Sequence, residues 1–226
     1  MRFELMYESF FKILEGVPLT LEVVFISTLL GFGLAIIVAL MRISDNKLYS
    51  VPAYSFIYLI RGTPLLLQLY FVYYGISQFS FVRESFLWPI LKEPFWCGII
   101  TLTISTGAYS AEIIRGGIQS VSQGYIESGK ALGLGRVSLF FRIVMPITIR
   151  QALPAYGNEL ILMVKASSLI SIVTLMEITG IARTIISKTY APVEIFLVAG
   201  SIYLFINFII TRLVKYAENR LSIPGT

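Results

Sequence analysis

The sequence predicts an all-α integral membrane protein of about five transmembrane helices, with a structured cytoplasmic loop between the third and the fourth. Two observations carry that prediction. Hydrophobic residues make up 56% of the 226-residue chain and charged residues 14%, with a mean hydropathy of +0.80. A soluble domain carries about 25% charged residues, so much of this surface must have the bilayer as its solvent. The apolar residues also gather into runs long enough to cross about 30 Å of hydrocarbon at roughly 1.5 Å per residue.

The elements follow in order within a single transmembrane domain, 1–226. Residues 1–16 predict an interfacial amphipathic helix: Phe3, Met6, Tyr7, Phe10, Phe11 and Leu14 repeat at helical spacing, and Arg2, Glu4, Glu8, Lys12 and Glu15 take the other face. A signal peptide would end in a small-residue cleavage site; here an apolar run long enough to span follows instead. Spans are expected at about 17–41, 51–78, 94–118, 152–175 and 193–214. The second is interrupted by Arg61-Gly62-Thr63-Pro64, which predicts a separate or kinked piece, so six segments is the alternative count.

Five spans put the termini on opposite sides, and the basic residues choose which. With the loop after the first span in the cytoplasm, that side receives Arg42, Lys47, Arg115, Lys130, Arg136, Arg142, Arg150, Arg212, Lys215 and Arg220. The other side receives only Arg2, Lys12, Arg83, Lys92, Arg183 and Lys188. The positive-inside rule therefore predicts an outer, periplasmic N-terminus and a cytoplasmic C-terminus. The net charge of +5 reads as basic cytoplasmic loops and gives no reason to expect a nucleic-acid partner.

Several chemistries are excluded early. The chain has one cysteine, Cys97, so no internal disulfide can form, and it has no histidine. Ser-His-Asp and Cys-His catalysis are absent with it, as is the commonest metal ligand. No catalytic or metal-binding residues are expected.

The segment 119–151 is the longest outside the spans. Tyr125–Leu132 predicts a short helix broken by Gly133 and Gly135, with a second over Val137–Val144 that Pro146 ends. Gly124 to Ala131 nearly matches the phosphate-binding pattern GxxxxGK[ST]. Ala131 lacks the magnesium-binding hydroxyl and no buried strand precedes it, so this chain is expected to bind no nucleotide.

A different pattern fits the same segment throughout. Glu127-Ser128-Gly129, three residues, Gly133, nine residues, Ile143, then Met145-Pro146 resemble the EAA---G---------I-LP signature of binding-protein-dependent ABC importer permeases. Ser-Gly replaces Ala-Ala and Met replaces Leu. Arg61-Gly-Thr-Pro64, Ala108-Tyr-Ser-Ala-Glu112-Ile-Ile-Arg115, Asn158-Glu159 and Lys165-Ala-Ser-Ser-Leu169 resemble the polar amino acid and opine branch, of histidine-arginine-glutamine type. The resemblance implies a type I importer permease subunit in the bacterial inner membrane. It implies a second homologous permease subunit, two cytoplasmic ATP-binding subunits that carry ATP and magnesium, and a periplasmic substrate-binding protein. Under it Glu127, Ser128, Gly129, Gly133, Ile143 and Pro146 would form the ATPase-coupling segment. A heterodimeric permease pair is favoured over a homodimer.

Charged groups inside spans are costly in hydrocarbon, so each is a candidate for function. Arg61 and Glu112 could form a structural ion pair between helices, or Arg61 with Thr63 could touch substrate. On the fourth span Asn158, Glu159, Lys165 and Ser167 make a helix too polar to face lipid, and are the candidate pathway residues. Glu159 and Lys165, six apart, point about 120° from each other around the helix. A membrane-embedded carboxylate favours a substrate that brings its own positive charge: a basic amino acid or an arginine-derived opine. Neutral or acidic polar amino acids remain the alternative. An ion-driven secondary transporter is the competing class, though its internal repeats are not visible, and no filter-like segment suggests a channel.

Overall fold

The structure is a computed structural model that describes residues 2–221; Met1 and residues 222–226 of the expected domain lie outside the described residues. Helix α1 (Phe3–Leu14) is amphipathic and leads through a tight turn into α2 (Val17–Arg42). Asn46 caps α3 (Lys47–Gly62), its side chain accepting the Leu48 N–H at 2.9 Å. Helix α4 (Leu65–Tyr70) continues as a π turn and a 3-10 turn to Gln78. Two one-turn helices, α5 (Ser80–Arg83) and α6 (Trp88–Leu91), precede α7 (Pro94–Gln119). Beyond it come α8 (Gln123–Ala131), α9 (Arg136–Leu139), α10 (Met145–Ser167), α11 (Ile178–Thr189) and α12 (Pro192–Leu221).

Among the described residues, four stretches are long and apolar enough to cross a membrane: Val17–Arg42, Pro94–Gln119, Arg136–Val173 and Pro192–Leu221. A fifth is the pair Lys47–Gly62 and Leu65–Gln78, bent by 104°. Pro64 causes the bend. It lacks an N–H to continue the helix and pushes Thr63 into the extended region (φ −113°, ψ 142°). Gln68 then repairs the break: its Nε2 donates to the Ile60 carbonyl at 2.8 Å and to Thr63 Oγ1 at 2.8 Å. A carbonyl freed inside a membrane needs such a partner.

Pro146 does not end a helix, as the sequence pattern suggested. It lies inside a continuous helix, directly after a π turn, a local adjustment by which a helix accommodates a residue with no N–H. A π turn over Phe140–Val144 joins α9 to α10, so helix runs without interruption from Arg136 to Ser167.

α7 is the buried centre. Its small residues, among them Gly98, Ser105, Thr106, Gly107, Ala108 and Ala111, face inward and let α2 and α10 approach closely. A second apolar cluster, Ala35, Val38, Ala39, Ala53, Ile57 and Ala111, joins α2, α3 and α7. The outward faces of α2 and α12 carry Phe25, Leu29, Leu204 and Phe205 in the open, the reverse of a soluble protein and right for lipid. Glu177 is fully buried at the start of α11. Its Oε1 accepts the Gly180 N–H at 2.8 Å and its Oε2 the Tyr203 hydroxyl at 2.6 Å. Burial pushes its carboxyl above the ordinary carboxylate range, against those hydrogen bonds.

Candidate functional site: a polar face and a surface knob

Two assemblies stand out from the apolar body. The first lies where α10, α7 and α3 meet. Glu159 is buried, with the Thr106 hydroxyl of α7 beside its carboxyl and Arg61 of α3 within electrostatic range. Asn158 and Lys165, on the same helix, are exposed, as is Arg61 at the end of α3. Ser167 is buried; its hydroxyl donates to the Val164 carbonyl at 2.8 Å and lies beside the Tyr203 hydroxyl. Thr63 is tied into the α3–α4 bend, its hydroxyl donating to the Leu59 carbonyl at 2.9 Å.

The expected Arg61–Glu112 ion pair does not form. Glu112 is held instead by Arg115, one turn on, through Nη2 at 2.7 Å and Nε at 3.0 Å. Residues three apart on one helix reach each other without any tertiary cost, whereas Arg61 must cross from α3. Arg61 instead stacks over the Tyr109 ring at 5.0 Å. Tyr109, Thr106 and Gln68 were not singled out by sequence, because nothing in a hydroxyl or amide on a long apolar run marks which neighbour it will meet.

The physical consequence is plain. Arg61, Asn158 and Lys165 lie in or at the ends of spanning helices yet face outward from this chain, and hydrocarbon cannot receive them. That face must be covered by water or by another polypeptide.

The second assembly is the α8 segment. α8 ends in a Schellman turn: Leu134 N–H bonds the Gly129 carbonyl at 3.0 Å and Gly133 N–H the Lys130 carbonyl at 2.9 Å. The turn requires Gly133, whose φ is +78°. Gly129 is buried under the following helix; a Cβ there would lie 2.7 Å from Ile143 Cδ1 and 3.1 Å from Leu139 Cδ1. Two positions of the sequence pattern, 129 and 143, therefore touch one another. Glu127, Ser128 and Gly133 are exposed, and Leu132 and Val137 stand 81% and 71% exposed beside them. Pro146 lies in the following helix, one turn beyond the contact. The result is a short, pinned helix with an apolar tip.

Spanning helices broken at one point, a charged face turned away from the body, and a rigid knob on the basic loop define a multi-pass membrane transport subunit built to work with partners. Residues 31–223 match the family described as the binding-protein-dependent transport system inner membrane component, and the chain belongs to that family. It is 54% identical to the nopaline transport system permease protein NocM of Agrobacterium fabrum, over 96% of this chain and 91% of that protein. It is 37% identical to the histidine/lysine/arginine/ornithine transport system permease protein HisM of Escherichia coli K12, over 91% of this chain and 87% of that one. Among solved structures, an amino acid ABC transporter determined with histidines superposes with a TM-score of 0.86 at 33% identity, covering 97% of this chain and 99% of that one. The MetNI methionine ABC transporter shares the fold, with a TM-score of 0.77 at 15% identity over 94% of this chain and 97% of that one.

Proposed function

We propose that this chain is one permease subunit of an ATP-driven importer for basic amino acids or their opine derivatives, and that its polar face lines the pathway. The observation that carries the reading is Glu159, a carboxylate buried in the membrane-spanning body beside outward-facing Asn158, Lys165 and Arg61. A cationic side chain of the substrate is the natural partner for Glu159, while Lys165 and Arg61 suit its carboxylate. The names of the relatives, which include opine and basic amino acid permeases, support the same class.

In this reading the N-terminus is periplasmic and the C-terminus cytoplasmic, and α8 docks into one of two ATP-binding subunits, which hold ATP and magnesium, while the second permease subunit engages the other. Glu127, Ser128, Gly129, Gly133, Ile143 and Pro146 belong to that coupling segment, and a periplasmic binding protein delivers the substrate. A non-identical homologue is favoured as the second permease subunit, on the specialisation of this chain around Glu159. The chain itself performs no hydrolysis and binds no cofactor.

The test is uptake by Glu159→Gln in the assembled importer with the binding protein unchanged. Uptake of arginine should fall at least about tenfold, the scale of one lost charged contact, while the complex still assembles. Unchanged uptake, or loss of the complex, would return Glu159 to a purely structural role.

A further inference from the structure

A cavity of about 520 Å³ opens between α2, α3 and α7, lined by Arg42, Tyr54, Arg61, Tyr109, Glu112 and Arg115 among others. Three guanidinium groups there meet one carboxylate. Glu112 is fully engaged by Arg115, whose Nη1 also donates to Gln119 at 2.6 Å. Arg42 and Arg61 have no carboxylate of their own among the described residues. Arg42 rests over the Tyr54 ring at 5.1 Å and Arg61 over Tyr109 at 5.0 Å, and Arg42 Nε is buried with no acceptor. Two cations held on aromatic rings around an open volume form a built receptor for an anion.

We propose that this cavity is a second station of the pathway, inward of Glu159, that receives the carboxylate of the substrate through Arg42 and Arg61. The proposal rests on the reading above, in which the α2–α3 loop is cytoplasmic and this face lines the pathway. Arg42 ends α2 at that cytoplasmic level, and Arg61 lies about 21 Å further along α3 from its start. The two cations thus bracket the inner half of the route. Arg61 is also the group whose charge reaches Glu159. It can hold a carboxylate while the cationic end is still at Glu159, and Arg42 can take it next. Substrate moving inward exchanges one guanidinium for another and never enters the membrane interior unpaired. An anionic lipid headgroup carries the same charge as the substrate carboxylate, and the experiment separates the two sources.

The experiment uses the importer assembled with its ATP-binding subunits, second permease and binding protein in proteoliposomes, and follows labelled arginine. Arg42→Gln should reduce uptake about tenfold, and Arg42→Lys, which keeps the charge but loses the planar fork and the ring stacking, should fall between Arg42→Gln and wild type. ATP hydrolysis stimulated by the loaded binding protein should be retained in both. Vesicles with and without phosphatidylglycerol separate the sources: a substrate station gives the same defect in both. A defect confined to vesicles containing phosphatidylglycerol would assign the cavity to lipid and overturn the proposal. As a control on folding, Arg42→Cys labelled with an aminoethyl thiosulfonate should regain uptake, and labelled with a sulfonatoethyl reagent should not. Equal uptake with both labels overturns the proposal. Wild-type uptake by Arg42→Gln alongside impaired Glu159→Gln would remove the station and leave the pathway reading standing; wild-type uptake by both would remove both.

Discussion

Gly133 offers the cleanest perturbation of the proposed coupling segment, because two possible costs of a side chain there can be told apart in advance. No atom lies within 4 Å of the position a Cβ would take, so the chain itself presents no clash. What remains is conformational: at φ +78° an L-residue costs roughly 1–2 kcal/mol, and asparagine much less because its short amide tolerates the left-handed region. If α8 docks with its Schellman turn formed, that penalty falls on docking, and about 1.4 kcal/mol is a tenfold change in an equilibrium. Gly133→Ala should therefore weaken binding of the purified ATP-binding subunits by about tenfold. Gly133→Asn should stay within about threefold of wild type, and Gly133→Val should be the worst of the three, since β-branching is least tolerated there. Titration of the ATP-binding subunits onto the detergent-solubilised permease pair, with ATP-dependent uptake in parallel, gives the ranking. Equal binding by Ala and Asn variants, whether both intact or both lost, would show that backbone conformation at Gly133 does not govern docking.

Glu177 gives a pH prediction with a definite sign. Burial raises its carboxyl in the folded state, so between the ordinary carboxylate range and that raised value the folded chain holds a proton that the unfolded chain has released. Stability should then fall as pH rises through that window, relative to Glu177→Gln measured under the same conditions, which cancels the other carboxylates. A difference in melting temperature between the two that is constant with pH, or of opposite slope, would remove ionisation at Glu177 from the account. The orientation is tested by single-cysteine labelling in a Cys97→Ala background: an impermeant reagent applied from the periplasmic side should reach position 92 and not position 130.

Much of the architecture was legible because a bilayer imposes coarse, one-dimensional rules. The run Val17–Met41 became α2 with one residue added, and Pro94–Ile118 became α7 with one added, since hydropathy and length decide such segments. Pro64 announced a break but could not give its size; the 104° bend depends on Gln68, four residues on, taking over the orphaned acceptors. The stretch after Val173 was opaque. α11 is too short and too mixed to read as a span, and its start depends on Glu177 burying a carboxylate between Gly180 and Tyr203, a contact across 26 positions. At the polar face, Glu159, Asn158 and Lys165 were visible simply as polar residues where none should be. Which cation met which anion was not. Arg115 reaches Glu112 along its own helix, and that local geometry took the partner that sequence had offered to Arg61.

The central claim is that transport through this chain is driven by partner subunits that hydrolyse ATP. The direct measurement is arginine uptake into proteoliposomes carrying the chain alone, and carrying it with the second permease, the ATP-binding subunits and the loaded binding protein. The account predicts no uptake by the chain alone under an imposed proton or sodium gradient. It predicts uptake by the full assembly that requires ATP inside the site of hydrolysis and survives collapse of every ion gradient. Uptake by the chain alone that follows an ion gradient and ignores ATP would make it a secondary transporter and contradict the account.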